Sequence, residues 1–474
     1  EIRGAHRVLF RSDTAISEEV AAVREDAHRV VRIGDGLSRT VEQLSLEANG
    51  LEAEAFRFRL PVPRRGGVLR AALHQSDNLE MSRGLDPLFT LDSQLVEITA
   101  LLYPTLLRSE DGVLVPGLAE RWESDPSLRR FRFTLRHGLG FWDGAPLTSE
   151  HVKAHFERVL DPAVQSAEAW ALKDVEGAID RLEGRAKEVV GIRALDAHTL
   201  EIRLSQPLAF FLHLMTLPLA GVGRMSGGQL IGAGPYRKVQ VNREGVVLER
   251  NPSYFHPDLP RVERLEFLPV ASREDSVRAL LDGRVDLVGG LYASHVEDVD
   301  PAQFQVVAGS TPSCWFLAFN AQSHPFNDVR VRQAIRAGLD VTGVVERFHP
   351  GARAARSLTP PEMLEGAGTP LVPRADVAEA RRLLQEAGHK QLHLRLPFPT
   401  GRDTRNEDAV LFAPLIEAGL VTLSHEELAP ADFFQRVREG RCALYRAWWI
   451  ADVPDPDNFL HFLLHSDAQT VYRL

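Results

Sequence analysis

Between Asp111 and Pro162 the chain reads DGVLVPGLAERWESDPSLRRFRFTLRHGLGFWDGAPLTSEHVKAHFERVLDP, and this run admits few folds. Phe131, Phe133 and Leu135 alternate with Arg132, Thr134 and Arg136, the period of a strand with one buried face. Gly112 turns into a short apolar segment ending at Pro116, and Leu118 to Trp122 are expected as a helical turn. Asp143-Gly144 marks a turn before a strand end at Leu147. Thr148 or Ser149 then caps a helix with Glu150 in its first turn and Val152, Phe156 and Val159 as its buried stripe. Strand, turn and amphipathic helix follow in this order, and the stretch offers no catalytic group.

The chain has 474 residues, too many for one core, so two or three lobes are expected. A hydrophobic content of 44% with 25% charged residues is that of a globular protein. The net charge of −10 argues against nucleic acid as a partner, since phosphate binding needs a basic surface. Pro207 to Gly223 is the most apolar run, but His213 and Pro218 interrupt it short of the ~20 residues a membrane span needs. Cys314 and Cys442 have no CxxC spacing, which disfavours structural zinc. They either pair across neighbouring strands or stand as two separate buried thiols.

Residues 1–12 are expected to be an assembly artefact, because Val8 to Ser12 resemble a translated sequencing-adapter end. From Ser17 to Phe56, apolar residues such as Val20, Val23, Ala27, Val30, Leu37 and Val41 recur three and four apart. A coiled-coil helix is therefore expected over 13–60, with a coiled-coil dimer as one consequence. Gly34-Asp35-Gly36 frays it, and residues 61–67, rich in Pro, Arg and Gly, form a linker. The ending Phe56-Arg57-Phe58-Arg59-Leu60 resembles the tail of chemotaxis-receptor signalling helices.

Beyond residue 67 a series of motifs follows in a fixed order. Gly67 to Leu73 reads as an opening strand, and Leu85-Asp86-Pro87 follows it. Val96 to Leu107 is an apolar helix that Pro104 should kink or end. Val189 to Leu204 forms a hairpin with Leu200, Ile202 and Leu204 alternating against Thr199, Glu201 and Arg203. Gly232-Ala233-Gly234-Pro235-Tyr236 makes a turn; no Lys-Ser/Thr follows it, which disfavours a phosphate loop. Next come Leu248 to Phe255, a helix capped by Ser272, Asp282-Gly283-Arg284-Val285-Asp286, and Phe316 to Asp340. A helix over Ala378 to Gly388 and the run Tyr445 to Phe459 (YRAWWIADVPDPDNF) complete the series.

Together with Asp111 to Pro162, these motifs resemble the bacterial extracellular solute-binding proteins of family 5, the receptors of peptide and nickel ABC importers. The resemblance implies a periplasmic-binding-protein-like α/β fold of class II, with three lobes, two of which close on a ligand by a hinge. It places lobe I at 68–112 and 192–300, lobe II at 113–191 and lobe III at 301–474, the last truncated at its C-terminus. Partners are then a peptide or other small solute and the permease and ATPase subunits, in the periplasm or cell envelope, with no cofactor and no enzymatic activity. The alternative is a cytoplasmic ligand-sensing regulator with the same fold as sensor and the coiled coil as output.

The same resemblance supplies candidate ligand contacts. In peptide-binding members the Asp of "W-x-x-D" holds the ligand's α-ammonium, which is Asp452 here; Trp449 is the accompanying aromatic, and Arg446 is the cation for the ligand carboxylate. Trp448 replaces a Gly and should fill part of the cavity, and Trp170 should line the opposite lobe. As bare residues, Asp452, Asp455 and Asp457 between prolines also suit a turn, and the two tryptophans also suit a core. His151 and His155, at i and i+4, are expected on a solvated helix face; His461 and His465 share that spacing. No metal site is expected, and HExxH and GxSxG are absent.

Overall fold

The computed structural model describes residues 66–464 except 75–84, 90–92, 111, 167, 292–298, 301–302, 308–311, 350, 356, 361–362 and 364–373. The expected coiled coil, the residues before it, most of the linker and residues 465–474 lie outside the described residues.

The first sheet has four strands. Val68–His74 runs parallel to Arg264–Val270, which pairs antiparallel with Gly245–Arg250, and that strand in turn with Tyr236–Asn242. The helix Ser93–Leu102 packs beside it through Leu95, Ile98 and Leu102. It stops two residues before Pro104, as a missing N–H and a ring clash require.

The second sheet is wholly antiparallel, in the order Ala119–Ser124, Arg130–Leu135, Thr199–Arg203, Ile192–Asp196. Phe131 faces Ile202 and Phe133 faces Leu200, all buried. The helix Ser149–Val159, with Thr148 as its N-cap, lays Val152, Phe156 and Val159 into the same core. On the sheet's other face Glu201 is buried beneath Arg132 and Arg203, both within ion-pair distance.

Two expectations are corrected in this sheet. Leu118 to Trp122 is not a helical turn; Ala119–Ser124 is a strand, with Trp122 opposite Phe133. Five residues cannot offset the cost of nucleating a helix, whereas a hairpin partner six residues on supplies backbone bonds at once. The lobe boundary expected between residues 191 and 192 also runs through this sheet. Thr199–Arg203 hydrogen-bonds to Arg130–Leu135, so the hairpin extends the second sheet and not the first. Its apolar face is buried by the nearest apolar strand, that of Phe131 and Phe133.

Residues beyond 312 build two further ladders. Ser313–Phe319 pairs antiparallel with Leu444–Ile450, and Leu392–Pro399 pairs parallel with Val421–Leu428. The helices Val329–Gly338 and Val377–Glu386, capped by Asp328 and Asp376, cover one side with Val331, Ile335, Leu383 and Leu384 in a common core. Asn320 ends its strand by donating to the Gly440 carbonyl at 2.8 Å. Cys314 and Cys442 are both buried free thiols. Cys314 lies opposite Trp449, while Cys442 precedes Leu444 at the far end of the ladder. Between Leu444 and Trp449 alone the strand spans roughly 17 Å, beyond disulfide reach. No helix among the described residues is long and apolar enough to cross a membrane.

The buried face of the second sheet is expected to carry much of the stability. Phe133→Ala should cost about 3–5 kcal/mol in urea unfolding, because it opens a cavity between Leu200 and the Ser149–Val159 helix. A loss below ~1 kcal/mol would show that this face is not a packed core.

Candidate ligand-binding site

In the ladder of Ser313–Phe319 with Leu444–Ile450, Cys314 faces Trp449, Trp315 faces Trp448 and Leu317 faces Arg446. Side chains of adjacent strand residues point to opposite faces. Trp449 therefore shares a face with Tyr445 and Ala447, while Arg446 and Trp448 share the other. Trp449 packs on the core of Cys314, Phe433 and Phe459. The expected cluster of Arg446, Trp448 and Trp449 is thus divided by the pleat.

The strand ends at Ile450, and Asp452 follows two residues on. Trp449 Nε1–H donates to Asn458 Oδ1 at 2.9 Å, and the Asp452 backbone N–H donates to the same oxygen at 3.1 Å. Asn458 is fully buried, and its Nδ2 reaches Asp452 Oδ2 at 3.4 Å. Val453, the next residue, is buried in the core of the second sheet with Phe211, Leu214 and Leu219. The Asp452 side chain is thus pinned from both sides.

Asp452 is exposed to solvent, yet burial is the main cause that pushes its carboxyl above the usual carboxylate range; the Asn458 amide opposes this. Solvent access with so much surrounding protein describes a group at the floor of a recess. Glu168 lies near it, on the turn before Trp170. Burial first, and the Asp452 charge second, push the Glu168 carboxyl up to about 7. Trp170 follows on the same turn and packs against the core of the second sheet.

On the other face Trp448 stacks on Trp315 with centroids 5.6 Å apart, and Phe434 meets its edge at 6.3 Å. The guanidinium carbon of Arg402 lies 3.8 Å from the Trp448 centroid. Trp315 is 49% exposed and Arg402 is exposed, so this aromatic platform and its cation reach solvent. Such a stack contributes roughly 0.5–1 kcal/mol when open to water and more when desolvated.

Arg446 has a different environment. Its Nε donates to Asp408 Oδ1 at 2.7 Å and its Nη1 to Glu407 Oε2 at 2.6 Å. Asp408 is fully buried and also accepts from Thr404 at 2.9 Å, with His425 Nε2 at 3.0 Å. Two of the three guanidinium nitrogens are therefore engaged inside the protein, and Nη2 is buried without a hydrogen-bond partner. Breaking a buried ion pair leaves an uncompensated charge and costs about 3–5 kcal/mol.

The expected solvated face at His151 and His155 is corrected. His155 is buried; its Nε2 lies 2.8 Å from the Leu219 carbonyl, and burial depresses it to about 4, so it stays neutral. His151 Nδ1 accepts from the Thr148 N–H at 3.2 Å. Among the described residues no group of three or more His, Cys, Asp or Glu could hold a metal ion. His461 is described and His465 is not.

Sequence reasoning missed Glu168, Trp315, Arg402 and Asn458 as site residues. Asn458 had a local signal, six residues after Asp452 in the same motif. Trp315 had none, because it meets Trp448 across 133 residues of chain through strand register alone.

The fold and this recess define a class first: a mixed α/β protein that presents a pinned carboxylate and an aromatic platform to solvent, the equipment of a solute receptor. The profile of bacterial extracellular solute-binding proteins, family 5, middle region, matches residues 113–470, and the chain belongs to this family. It is 28% identical over 421 residues to the periplasmic murein peptide-binding protein MppA of Escherichia coli, covering 82% of this chain and 77% of the relative. To the periplasmic oligopeptide-binding protein OppA of the same organism it is 28% identical over 407 residues, covering 77% and 72%. The solved structure of the E. coli murein tripeptide binding protein MppA matches with a TM-score of 0.70 at 25% identity, over 85% of this chain and 83% of that one. Haemophilus influenzae OppA in complex with RPPGFSPFR matches with a TM-score of 0.69 at 22% identity, over 86% and 84%, a likeness of fold.

The raised Glu168 carboxyl has a consequence for stability without ligand. Between its ordinary value of 4.5 and about 7 the folded chain holds this proton and the unfolded chain does not. Stability from this group therefore falls as pH rises through that window. Glu168→Gln should flatten this part of the pH profile of the melting temperature and melt above the parent protein at pH 8. Parallel profiles for the two proteins would refute the assignment.

Proposed function

We propose that the chain is the solute-binding protein of an ABC-type importer, capturing a peptide in the periplasm or cell envelope and delivering it to a membrane permease driven by an ATPase. It performs no chemistry on its ligand. The observation that carries this function is Asp452, a carboxylate at the floor of a solvent-open recess, oriented by Asn458 and lacking any cationic partner among the described residues. A desolvated carboxylate of this kind gains most from a ligand that brings its own positive charge, and the α-ammonium of a peptide does so. The printed names of the relatives, periplasmic peptide-binding proteins, favour the importer over a cytoplasmic sensor.

Arg402 is assigned the ligand's anionic end in place of Arg446. Arg446 is bound to Asp408 and Glu407 inside the protein, and the exposed Arg402 brings its guanidinium carbon within 3.8 Å of the Trp448 ring centroid. Trp448 and Trp315 then supply the apolar surface between the two charged ends. Trp449 acts through Asn458, as a positioning residue for Asp452.

Ligand raises stability as RT ln(1 + [L]/Kd), about 2.7 kcal/mol at a hundredfold excess over Kd. Ala-Ala-Ala should raise the melting temperature of the protein, and its N-acetyl derivative should not. Asp452→Asn should abolish the shift while leaving the ligand-free melt cooperative. An equal shift from the acetylated peptide would remove the ammonium anchor. For the other end, Arg402→Gln should weaken binding of the free acid about tenfold and leave the C-terminal amide unchanged, measured by titration calorimetry. Equal losses for acid and amide would return Arg402 to a packing role.

A further inference from the structure

One side chain of the aromatic platform is left open to water. Trp315 lies mid-strand and is 49% exposed, whereas the other five tryptophans, Trp122, Trp142, Trp170, Trp448 and Trp449, are half-buried. Strand register fixes what surrounds it. Ser313, Trp315 and Leu317 share one face of the ladder with their partners Ile450, Trp448 and Arg446. The Trp448 ring is inclined by 27° to that of Trp315. Ile450, the next side chain of this face beyond Trp448, is 50% exposed. The His349 ring lies 6.2 Å from Trp315, and its Nε2 is 3.4 Å from Glu407 Oε1, on the helix that also holds Arg446.

The cation of the platform is unevenly shared. Arg402 Cζ is 3.8 Å from the Trp448 centroid and 5.8 Å from that of Trp315. Trp448 thus has a cation on its π face and Phe434 in a T-shaped contact, while Trp315 keeps half its surface in water. Covering that surface with a ligand removes apolar area that the fold leaves hydrated. A carboxylate paired with Arg402 holds its carbon about 4 Å from Cζ. In a phenylalanine the ring centre lies about 5 Å from the carboxyl carbon of the same residue. The Trp315 indole, 5.8 Å from Cζ, is within reach of that ring. An aliphatic side chain buries similar area there, but only an aromatic ring adds the quadrupole that attracts both the indole and the guanidinium.

Building on the peptide-receptor function and on Arg402 as the partner of the ligand carboxylate, we propose that Trp315 makes the site selective for peptides whose last residue is aromatic. The terminal carboxylate meets Arg402, and the side chain leaving the same Cα lies on the Trp315 indole beside the guanidinium. Trp448 contributes by placing Arg402 next to Trp315, and Ile450 extends the apolar ground on the same face. The selectivity belongs to one end of the ligand, since the ring must be carried by the residue that bears the free carboxylate.

The test is titration calorimetry of the full chain with four tripeptides: Ala-Ala-Ala, Ala-Ala-Phe, Phe-Ala-Ala and Ala-Ala-cyclohexylalanine, whose saturated ring has similar apolar area and no π face. Ala-Ala-Phe should bind about tenfold more tightly than Ala-Ala-Ala, and about threefold more tightly than the cyclohexylalanine peptide. Phe-Ala-Ala should stay within about threefold of Ala-Ala-Ala. In Trp315→Leu the preference for Ala-Ala-Phe over Ala-Ala-Ala should fall to about threefold or less, and Trp315→Phe should keep most of it. Equal binding of the Phe and cyclohexylalanine peptides would overturn the aromatic selectivity. A tenfold preference that persists in Trp315→Leu would take the role away from Trp315. An equal gain for Phe-Ala-Ala would overturn the assignment to the last residue. If none of the four peptides binds the parent protein, the peptide-receptor function fails, and the selectivity built on it falls with it.

Discussion

One ladder of backbone hydrogen bonds, between Ser313–Phe319 and Leu444–Ile450, decides where the candidate ligand groups of the C-terminal half stand. Its register puts Trp315 against Trp448 and Cys314 against Trp449. A slip of one residue would exchange the faces, moving Trp448 towards Phe459 and the Trp449 indole out beside Arg402. The platform of two tryptophans and a guanidinium exists only in the observed register. So does the bond from Trp449 to Asn458, which orients Asp452.

The ladder's far end is held by a different kind of force. Arg446 is fastened beneath the platform by Asp408 and Glu407, with His425 and Thr404 completing the contacts of Asp408. A buried charge network of this sort gains little stability over apolar packing, but it is costly to break and fixes the strand against the helix that carries Glu407 and Asp408. Specificity for one arrangement is its physical contribution. The recess at Asp452 differs, since this carboxylate is partly desolvated and meets no cation among the described residues. Charge that the fold does not satisfy is available to a ligand.

Much of the scaffold was legible in local sequence. The alternation through Phe131, Phe133 and Leu135, the Thr148 cap, the stop before Pro104 and the hairpin through Leu200 and Ile202 each depend on neighbours in the chain. The misread segment, Leu118 to Trp122, is too short for periodicity to separate a helical turn from a strand, and its partner settled the matter. The boundary at 191/192 failed for a related reason. A hairpin's own pattern says that one face is buried, and is silent on which sheet buries it. In the site, Asp452 and Trp449 were found by motif, while Glu168, Trp315 and Arg402 depend on contacts across more than a hundred residues or between separate elements.

The run from Asp111 to Pro162 by itself determined a strand, a turn and a helix in that order, because strand and helix periodicities and their caps are written in residues within a few positions of each other. Together with the motifs downstream, it also determined the family. Tertiary structure alone decided which charges are spent and which are left over. Arg446 and Asp452 lie six residues apart in one motif and look like equal partners for the two ends of a ligand. Packing brings Asp408 and Glu407 to the first, and the Asn458 amide, with no cation among the described residues, to the second. The electrostatic state of a side chain depends on what the fold places around it, and for Arg446 those neighbours come from a separate helix.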